Sequence, residues 1–188
     1  MERKFLIGGS GGQGILFLGK VIANAAMLAG KEVTWFPSYG AEMRSGAANC
    51  TVIVSDEIIG SPILTYADYL IVFTEAALNK FVPRLKEDGM LFYDSSFMTF
   101  DFNGHFNGYV ESMGVKASIM ASEIGSTRVA NMIMLGVLAA STGIFSIEEL
   151  LLALEGDTSE CMLHNLSLNK RALLRGFEII ENKKSNRI

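Results

Sequence analysis

The chain is short of cysteine, histidine and charge, and each shortage excludes something. Only two cysteines occur, Cys50 and Cys161, far apart in 188 residues. An iron–sulfur site built from four cysteines of this chain is therefore excluded. The two histidines, His105 and His164, have no cysteine neighbours; they give no zinc pattern, no metal site is expected, and they read as surface or packing residues. Charged residues make up 19% and the net charge is −4. The one basic cluster is the terminal KKSNR, Lys183 to Arg187, read as a solvated tail. Nucleic acid, which needs clustered Lys and Arg along a phosphate-tracking surface, is not an expected partner. No apolar run approaches the ~18 residues of a membrane span; the longest is MIMLGVLAA, Met132 to Ala140. The first residues lack a signal-peptide pattern, because Gly8 interrupts the opening apolar run. A cytoplasmic protein with reduced thiols is the expectation.

What is abundant is apolar surface. Apolar residues make up 49% of the chain, so it either hides a large core or keeps an apolar face for a partner. The order of elements points to an α/β fold. KFLI, Lys4 to Ile7, is a short strand. From Ile15 to Ala29, apolar Leu18, Val21, Ile22, Ala25, Ala26 and Ala29 recur at helical spacing, and Gly30 suits the stop. EVTWF, Glu32 to Phe36, is a second strand ended by Pro37. Ala48 to Ile63 reads as a strand, a Ser-Asp-Glu turn and a short returning strand. YLIVF, Tyr69 to Phe73, is a strand covered on both faces. A helix follows over Glu75 to Lys86, then a strand over Met90 to Asp94. Phe97 to Val110 is aromatic and turn-rich, and Val115 to Ser118 is read as a last strand. Helices are expected over Ser126 to Ala140, from Ser146 (with Glu149 as a capping box) to Glu155, and over His164 to Asn182. Strands alternating with helices predict a Rossmann-like, doubly wound, mostly parallel sheet with helices on both faces. Residues 1–182 form one domain in this reading, and 183–188 the basic tail.

The densest local signal is GGSGGQG, Gly8 to Gly14, with five glycines in seven residues. Gly9, Ser10, Gly11, Gly12, Gln13 and Gly14 fit G-x-G-x-x-G directly after a strand and at the opening of a helix. Bare backbone there lets N–H groups approach an anion, and the helix terminus adds partial positive charge. The dinucleotide form also needs an acid at the end of the second strand to hold a ribose. Phe36-Pro37-Ser38-Tyr39 stands there instead, which argues against a nicotinamide cofactor. Gly8 to Gly12 also match G-x-S-x-G, but a hydrolase serine at Ser10 needs a base, and neither histidine is a convincing one. The glycines remain either an anion site or a tight turn that lets helix and sheet pack closely.

A wider pattern narrows the function. SYGAEMRSGAANCTVIVSDEIIGSPI, Ser38 to Ile63, together with GGSGGQG and STRVANMIMLGVLAA, Ser126 to Ala140, resembles the gamma subunit of 2-oxoacid:ferredoxin oxidoreductases. The likeness runs from Phe5 to about Gly176 and looks most like the 2-oxoglutarate branch, beside pyruvate. The resemblance implies a subunit of an enzyme that oxidatively decarboxylates a 2-oxoacid, joins the acyl group to coenzyme A and reduces ferredoxin. It implies thiamine diphosphate and iron–sulfur clusters on alpha, beta and delta-type companions. This chain would bind no cofactor alone and would help to form the coenzyme A side, with no catalytic residue of its own.

Within that stretch, Arg44 is the natural group to meet a carboxylate or phosphate, because its planar fork binds two oxygens. Glu42 orients it or forms a salt bridge across an interface; the plainer alternative is an exposed ion pair of little energetic weight. Tyr39 and Gly40 look like a turn. Asn49 offers both donors and acceptors, or simply a turn hydrogen bond. Asn131 interrupts an apolar helix and either bonds neighbouring backbone or serves a site. Cys50 opens a buried-looking strand and reads as packing, as do Met132 to Met134.

Overall fold

The computed structural model describes residues 1–38, 47–98, 110–156 and 160–185, with backbone alone at 47, 160–164 and 183–185. Six strands form one sheet: β1 (Glu2–Ser10), β2 (Glu32–Pro37), β3 (Ala47–Ser55), β4 (Ala67–Val72), β5 (Leu85–Asp94) and β6 (Glu111–Val115). Their order is β2-β3-β1-β4-β5-β6. β1, β4, β5 and β6 are mutually parallel, and β3 runs antiparallel to both β1 and β2. The mostly parallel α/β sheet is thus present, with β3 as the one reversed strand among the described residues. The chain passes from β1 by a helix to the far edge at β2, turns back through β3, and crosses to β4 on the other side. Strand order therefore switches at β1, and the crevice beyond its carboxyl end is where open α/β sheets bind ligands.

Among the described residues six helices cover the sheet unequally: α1 (Ile15–Leu28), α2 (Glu75–Phe81), α3 (Ala117–Ile124), α4 (Ala130–Thr142), α5 (Ile147–Glu155) and α6 (Glu160–Ser185). Side chains on a strand alternate between faces, and β1 divides accordingly. Phe5 and Ile7 join the larger core with residues of α1, α3, α4, α5 and α6, while Leu6 joins a smaller core with Leu78, Phe81 and Val82. Cys50, Val52 and Val54 of β3 face the larger core and Ile53 the smaller. Every residue of α4 from Ala130 to Ala140 is buried, which accounts for its apolar character on all sides.

Several boundaries differ from the sequence expectation. No returning strand follows β3; residues 56–66 form an irregular connection that leaves Ile58, Ile63 and Tyr66 exposed. The helix expected to run to Lys86 ends at Phe81, passes through a single 3-10 turn over Val82–Arg84, and gives way to β5 at Leu85. Pro83 lies inside that turn, where a continuing α-helix would lose a hydrogen bond and meet its ring. The last strand lies at 111–115, not 115–118, and α3 follows at once. Buried Asp94 explains the switch: its carboxylate accepts from the backbone N–H and hydroxyl of Ser118 in the first turn of α3, and from Ser96. That carboxylate takes the place of a local cap and starts the helix. The Ser146–Glu149 capping box is present as expected. α6 continues past residue 182 to Ser185, into the stretch read as tail.

Cys50 is fully buried, and its thiol donates to the Ile15 carbonyl at 3.5 Å. Burial pushes the thiol up to about 12, against smaller lowering by hydrogen bonds to Trp35 and Gly19. Only the thiolate reacts readily, so in a Cys161→Ser background the folded chain should resist a thiol reagent at pH 8 and be labelled only on denaturation. Stoichiometric labelling of the native chain would show that Cys50 is open to solvent.

Candidate functional site

The carboxyl ends of the parallel strands gather one set of backbone groups. Ser10 ends β1, Pro37 ends β2, Val72 ends β4, and the reversed strand β3 begins at the same end with Ala47. The glycine turn lies there, between the two halves of the sheet. Gly8 and Gly9 are still inside β1 and are buried, whereas Ser10, Gly11 and Gly12 are exposed. Each buried glycine makes room for a neighbour: a Cβ at Gly8 would lie 2.7 Å from the Phe81 ring, and one at Gly9 would lie 2.6 Å from Gln13 Oε1. Gly12 and Gly14 have φ of 86° and 71°, the left-handed conformation that glycine adopts without strain.

The turn partly satisfies itself. The backbone N–H of Ser10 donates to Gln13 Oε1 at 2.6 Å, and the N–H of Gln13 donates to the Ser10 carbonyl at 3.3 Å. Of the backbone donors expected between Ser10 and Gln13, these two are therefore engaged within the turn. The N-terminus of α1 follows with Gly14 as its first flanking residue and no side-chain cap. The first-turn N–H groups of a helix have no partner inside it. Together with the exposed turn, they make the positively polarised end of the site.

Asn131 closes the arrangement from beneath. It is 2% exposed, and its Nδ2 donates to the Gly14 carbonyl at 3.0 Å, while its Oδ1 accepts from the Met132 N–H at 2.9 Å. One half of the amide thus bonds neighbouring backbone, and the other reaches the glycine turn. The polar break in an apolar helix was visible in the sequence; its partner, 117 residues away, was not.

The other anticipated residues divide between two settings. Asn49 lies in β3, not in a turn; it is buried, sits opposite Gly8 in the β1–β3 register, and its carbonyl accepts from Ser38 N–H. The structure therefore brings Asn49 beside the strand that carries the glycines. Tyr39, Glu42 and Arg44 lie outside the described residues, as does His105. Among the described residues, no group of three or more His, Cys, Asp or Glu side chains is placed to hold a metal ion, and no helix is long and apolar enough to cross a membrane. A recess of about 290 Å³ lined by Arg3, Lys31, Asp56, Phe145 and Glu149 lies at the opposite end of the sheet. Asp56 there is held down at about 2 by hydrogen bonds from Lys31 and the terminal amine. That recess is remote from the glycine turn and does not extend it.

Comparison with known proteins gives a consistent picture. Residues 4–179 match the family described as pyruvate ferredoxin/flavodoxin oxidoreductase. The ketoisovalerate oxidoreductase subunit VorA of Methanothermobacter thermautotrophicus is 38% identical over 148 residues, which are 79% of this chain and 30% of that protein. The chain thus spans under a third of that relative's length. The gamma subunit of a keto/oxoacid ferredoxin oxidoreductase from Geobacter sulfurreducens has a solved structure that superposes with a TM-score of 0.77 at 31% identity, covering 94% of this chain and 96% of that one. The 2-oxoglutarate:ferredoxin oxidoreductase of Magnetococcus marinus, solved with 2-oxoglutarate, coenzyme A and succinyl-CoA bound, superposes with a TM-score of 0.81 at 27% identity, covering 96% of this chain and 31% of that chain.

Proposed function

Because the chain belongs to the pyruvate ferredoxin/flavodoxin oxidoreductase family, we propose that it works as the gamma subunit of a 2-oxoacid:ferredoxin oxidoreductase. In this reading it packs on alpha, beta and delta-type companions in the cytoplasm and lends its glycine turn to the coenzyme A side. In the same reading thiamine diphosphate and the iron–sulfur clusters belong to the companions; two cysteines are too few for a four-cysteine cluster site on this chain. The thiamine ring supplies the electron sink for decarboxylation; this chain binds and orients the acyl acceptor. The observation that carries the reading is the exposed Ser10–Gly12 backbone leading into an uncapped helix at the strand-order switch. A phosphate or diphosphate group of coenzyme A fits such a donor set.

Arg44 is assigned to an oxyanion of coenzyme A or to an acidic side chain of a companion, with Tyr39, Glu42 and Asn49 from the same stretch of sequence assigned to the interface or substrate side. The oxoacid is read as 2-oxoglutarate, from the resemblance carried by SYGAEMRSGAANC. The relative named for ketoisovalerate and the structure named for 2-oxoglutarate make the choice of oxoacid a matter for competition assays with the assembled enzyme.

One observation favours a second reading, in which the chain is a scaffold without a ligand. Gln13 turns its carbonyl back onto the Ser10 N–H, as a self-satisfied turn would. Gly11→Val separates the two. Gly11 is not among the turn glycines with positive φ, so the substitution obstructs approach to the backbone without forcing a strained conformation. In the assembled enzyme the KM for coenzyme A should rise at least tenfold with the KM for the oxoacid unchanged. An unchanged coenzyme A KM would leave the turn a purely structural element.

A further inference from the structure

We propose that Asn131 is a positioning residue for the glycine turn: it fixes the peptide plane that aims the first backbone donor of α1 at the bound anion. This rests on the reading that the turn meets a phosphate of coenzyme A. Gly14 C=O accepts two hydrogen bonds, from Leu18 N–H at 2.9 Å and from Asn131 Nδ2 at 3.0 Å. The first is the opening bond of α1. The second comes from another helix and removes the remaining freedom of that peptide to rotate about the flexible residue beside it. A peptide unit is planar and trans, so its C=O and its N–H point in opposite directions. Holding the Gly14 carbonyl down the helix axis therefore holds the Ile15 N–H outward, toward the mouth of the glycine turn.

The side chain that does this is itself fixed at both ends. Gly14 C=O can only accept and Met132 N–H can only donate, so the orientation of the Asn131 amide follows from its partners. The contact is also close. A Cβ at Gly14 would lie 2.2 Å from Asn131 Nδ2, so the amide fills the space that the missing side chain leaves. Gly14 is thus required for two separate reasons, its φ of 71° and this amide.

The setting of Asn131 argues against a role in folding alone. Every other residue of α4 from Ala130 to Ala140 is apolar or glycine, and the whole stretch is buried. An amide there loses its hydration, and a polar group is worth burying only when its bonds are replaced. An apolar residue would extend the packing of α4 without that penalty. The amide instead spends its donor on the one carbonyl that orients the end of α1. Asn131 is buried beneath the turn, so it acts through Gly14 and does not touch the ligand.

The test uses the enzyme assembled from this chain and its companions, with steady-state kinetics in coenzyme A and, separately, in the 2-oxoacid. Asn131→Asp keeps the shape but sets a carboxylate oxygen against the Gly14 carbonyl. Asn131→Leu keeps similar volume and removes the donor without adding charge. Each should raise the coenzyme A KM at least tenfold, with kcat and the oxoacid KM within twofold of wild type. Hydrogen exchange at Ile15 should quicken in the assembled, ligand-free variant, which a loss of global stability alone would spread over the whole sheet. Gly11→Val serves as the control for the underlying reading. If Gly11→Val raises the coenzyme A KM and both Asn131 variants leave it within twofold, the positioning role is wrong while the site stands. If Gly11→Val changes nothing either, the site itself is wrong and the positioning role falls with it. Failure of both Asn131 variants to fold or assemble would assign the residue to folding and overturn the proposal.

Discussion

Gly136→Ala and Gly176→Ala should each lower the melting temperature by about 6–12 °C or prevent soluble expression. α4 and α6 cross with almost nothing between their backbones. A Cβ at Gly136 would lie 2.1 Å from the Leu173 carbonyl oxygen, and one at Gly176 would lie 2.0 Å from the Ile133 carbonyl oxygen. Each glycine faces main chain, not a side chain that can swing away. The two contacts are reciprocal, so either methyl group must push the helices apart. Alanine improves intrinsic helix propensity by about 1 kcal/mol, and at an exposed site that would stabilise. Here separation also loosens the packing at Ile133 and Leu173, which lie at the crossing and are fully buried. Overpacking of a tight core costs about 1–3 kcal/mol and sometimes more, and with two backbone collisions at one crossing the upper end applies. At roughly 2–4 °C per kcal/mol for a chain of this size, about 3 kcal/mol gives the stated range. Thermal unfolding followed by circular dichroism measures it. A variant that melts within a degree or two of wild type would mean that the crossing is looser than described.

The isolated chain should show no oxidation of any 2-oxoacid, even with thiamine diphosphate, coenzyme A and an electron acceptor supplied, and turnover should return on addition of the companion subunits. Decarboxylation needs a group that accepts the carbanion, and the electrons then need a path of redox centres. Two cysteines cannot hold an iron–sulfur cluster of the four-cysteine kind. One of them, Cys50, is sealed beneath α1 with its proton held by burial. Among the described residues the candidate site offers backbone N–H groups and the side chains of Ser10, Gln13 and Asn49. These bind and orient, but none supplies a carbanion sink or a redox couple. Measurable turnover by highly purified chain, in proportion to its concentration, would defeat the subunit reading.

The two predictions rest on different kinds of legibility. The alternation of strands and helices was plain in the sequence because each element carries its own periodicity: the run YLIVF for a strand covered on both faces, and the 3.6-residue spacing of Leu18, Val21, Ile22 and Ala25 for a helix. The glycine turn was plain as well, since few structural demands other than tight backbone geometry call for five glycines in seven residues. The Ser146–Glu149 box was readable because its two partners are three residues apart. All of these are local, with cause and effect within one turn or one strand of each other.

Contacts between distant segments were not legible. The start of α3 depends on the Asp94 carboxylate, which comes from the neighbouring strand and accepts from Ser118, so a local reading mistook its first residues for a strand. The reversal of β3 leaves no mark on its composition, because a strand buried on both faces looks alike in either direction. Nothing in the local sequence marks Gly136 and Gly176 as the points where two backbones meet, each facing a carbonyl of the other helix. The sequence by itself determined the α/β class, the glycine turn and the family resemblance, because short-range geometry and residue order are enough for those. Only the tertiary structure decided that Gln13 folds back on Ser10, that Asn49 pairs opposite Gly8, and that Asn131 holds Gly14. Burial makes a polar group seek whatever partner the fold brings within reach, and that partner is set by packing, not by distance along the chain.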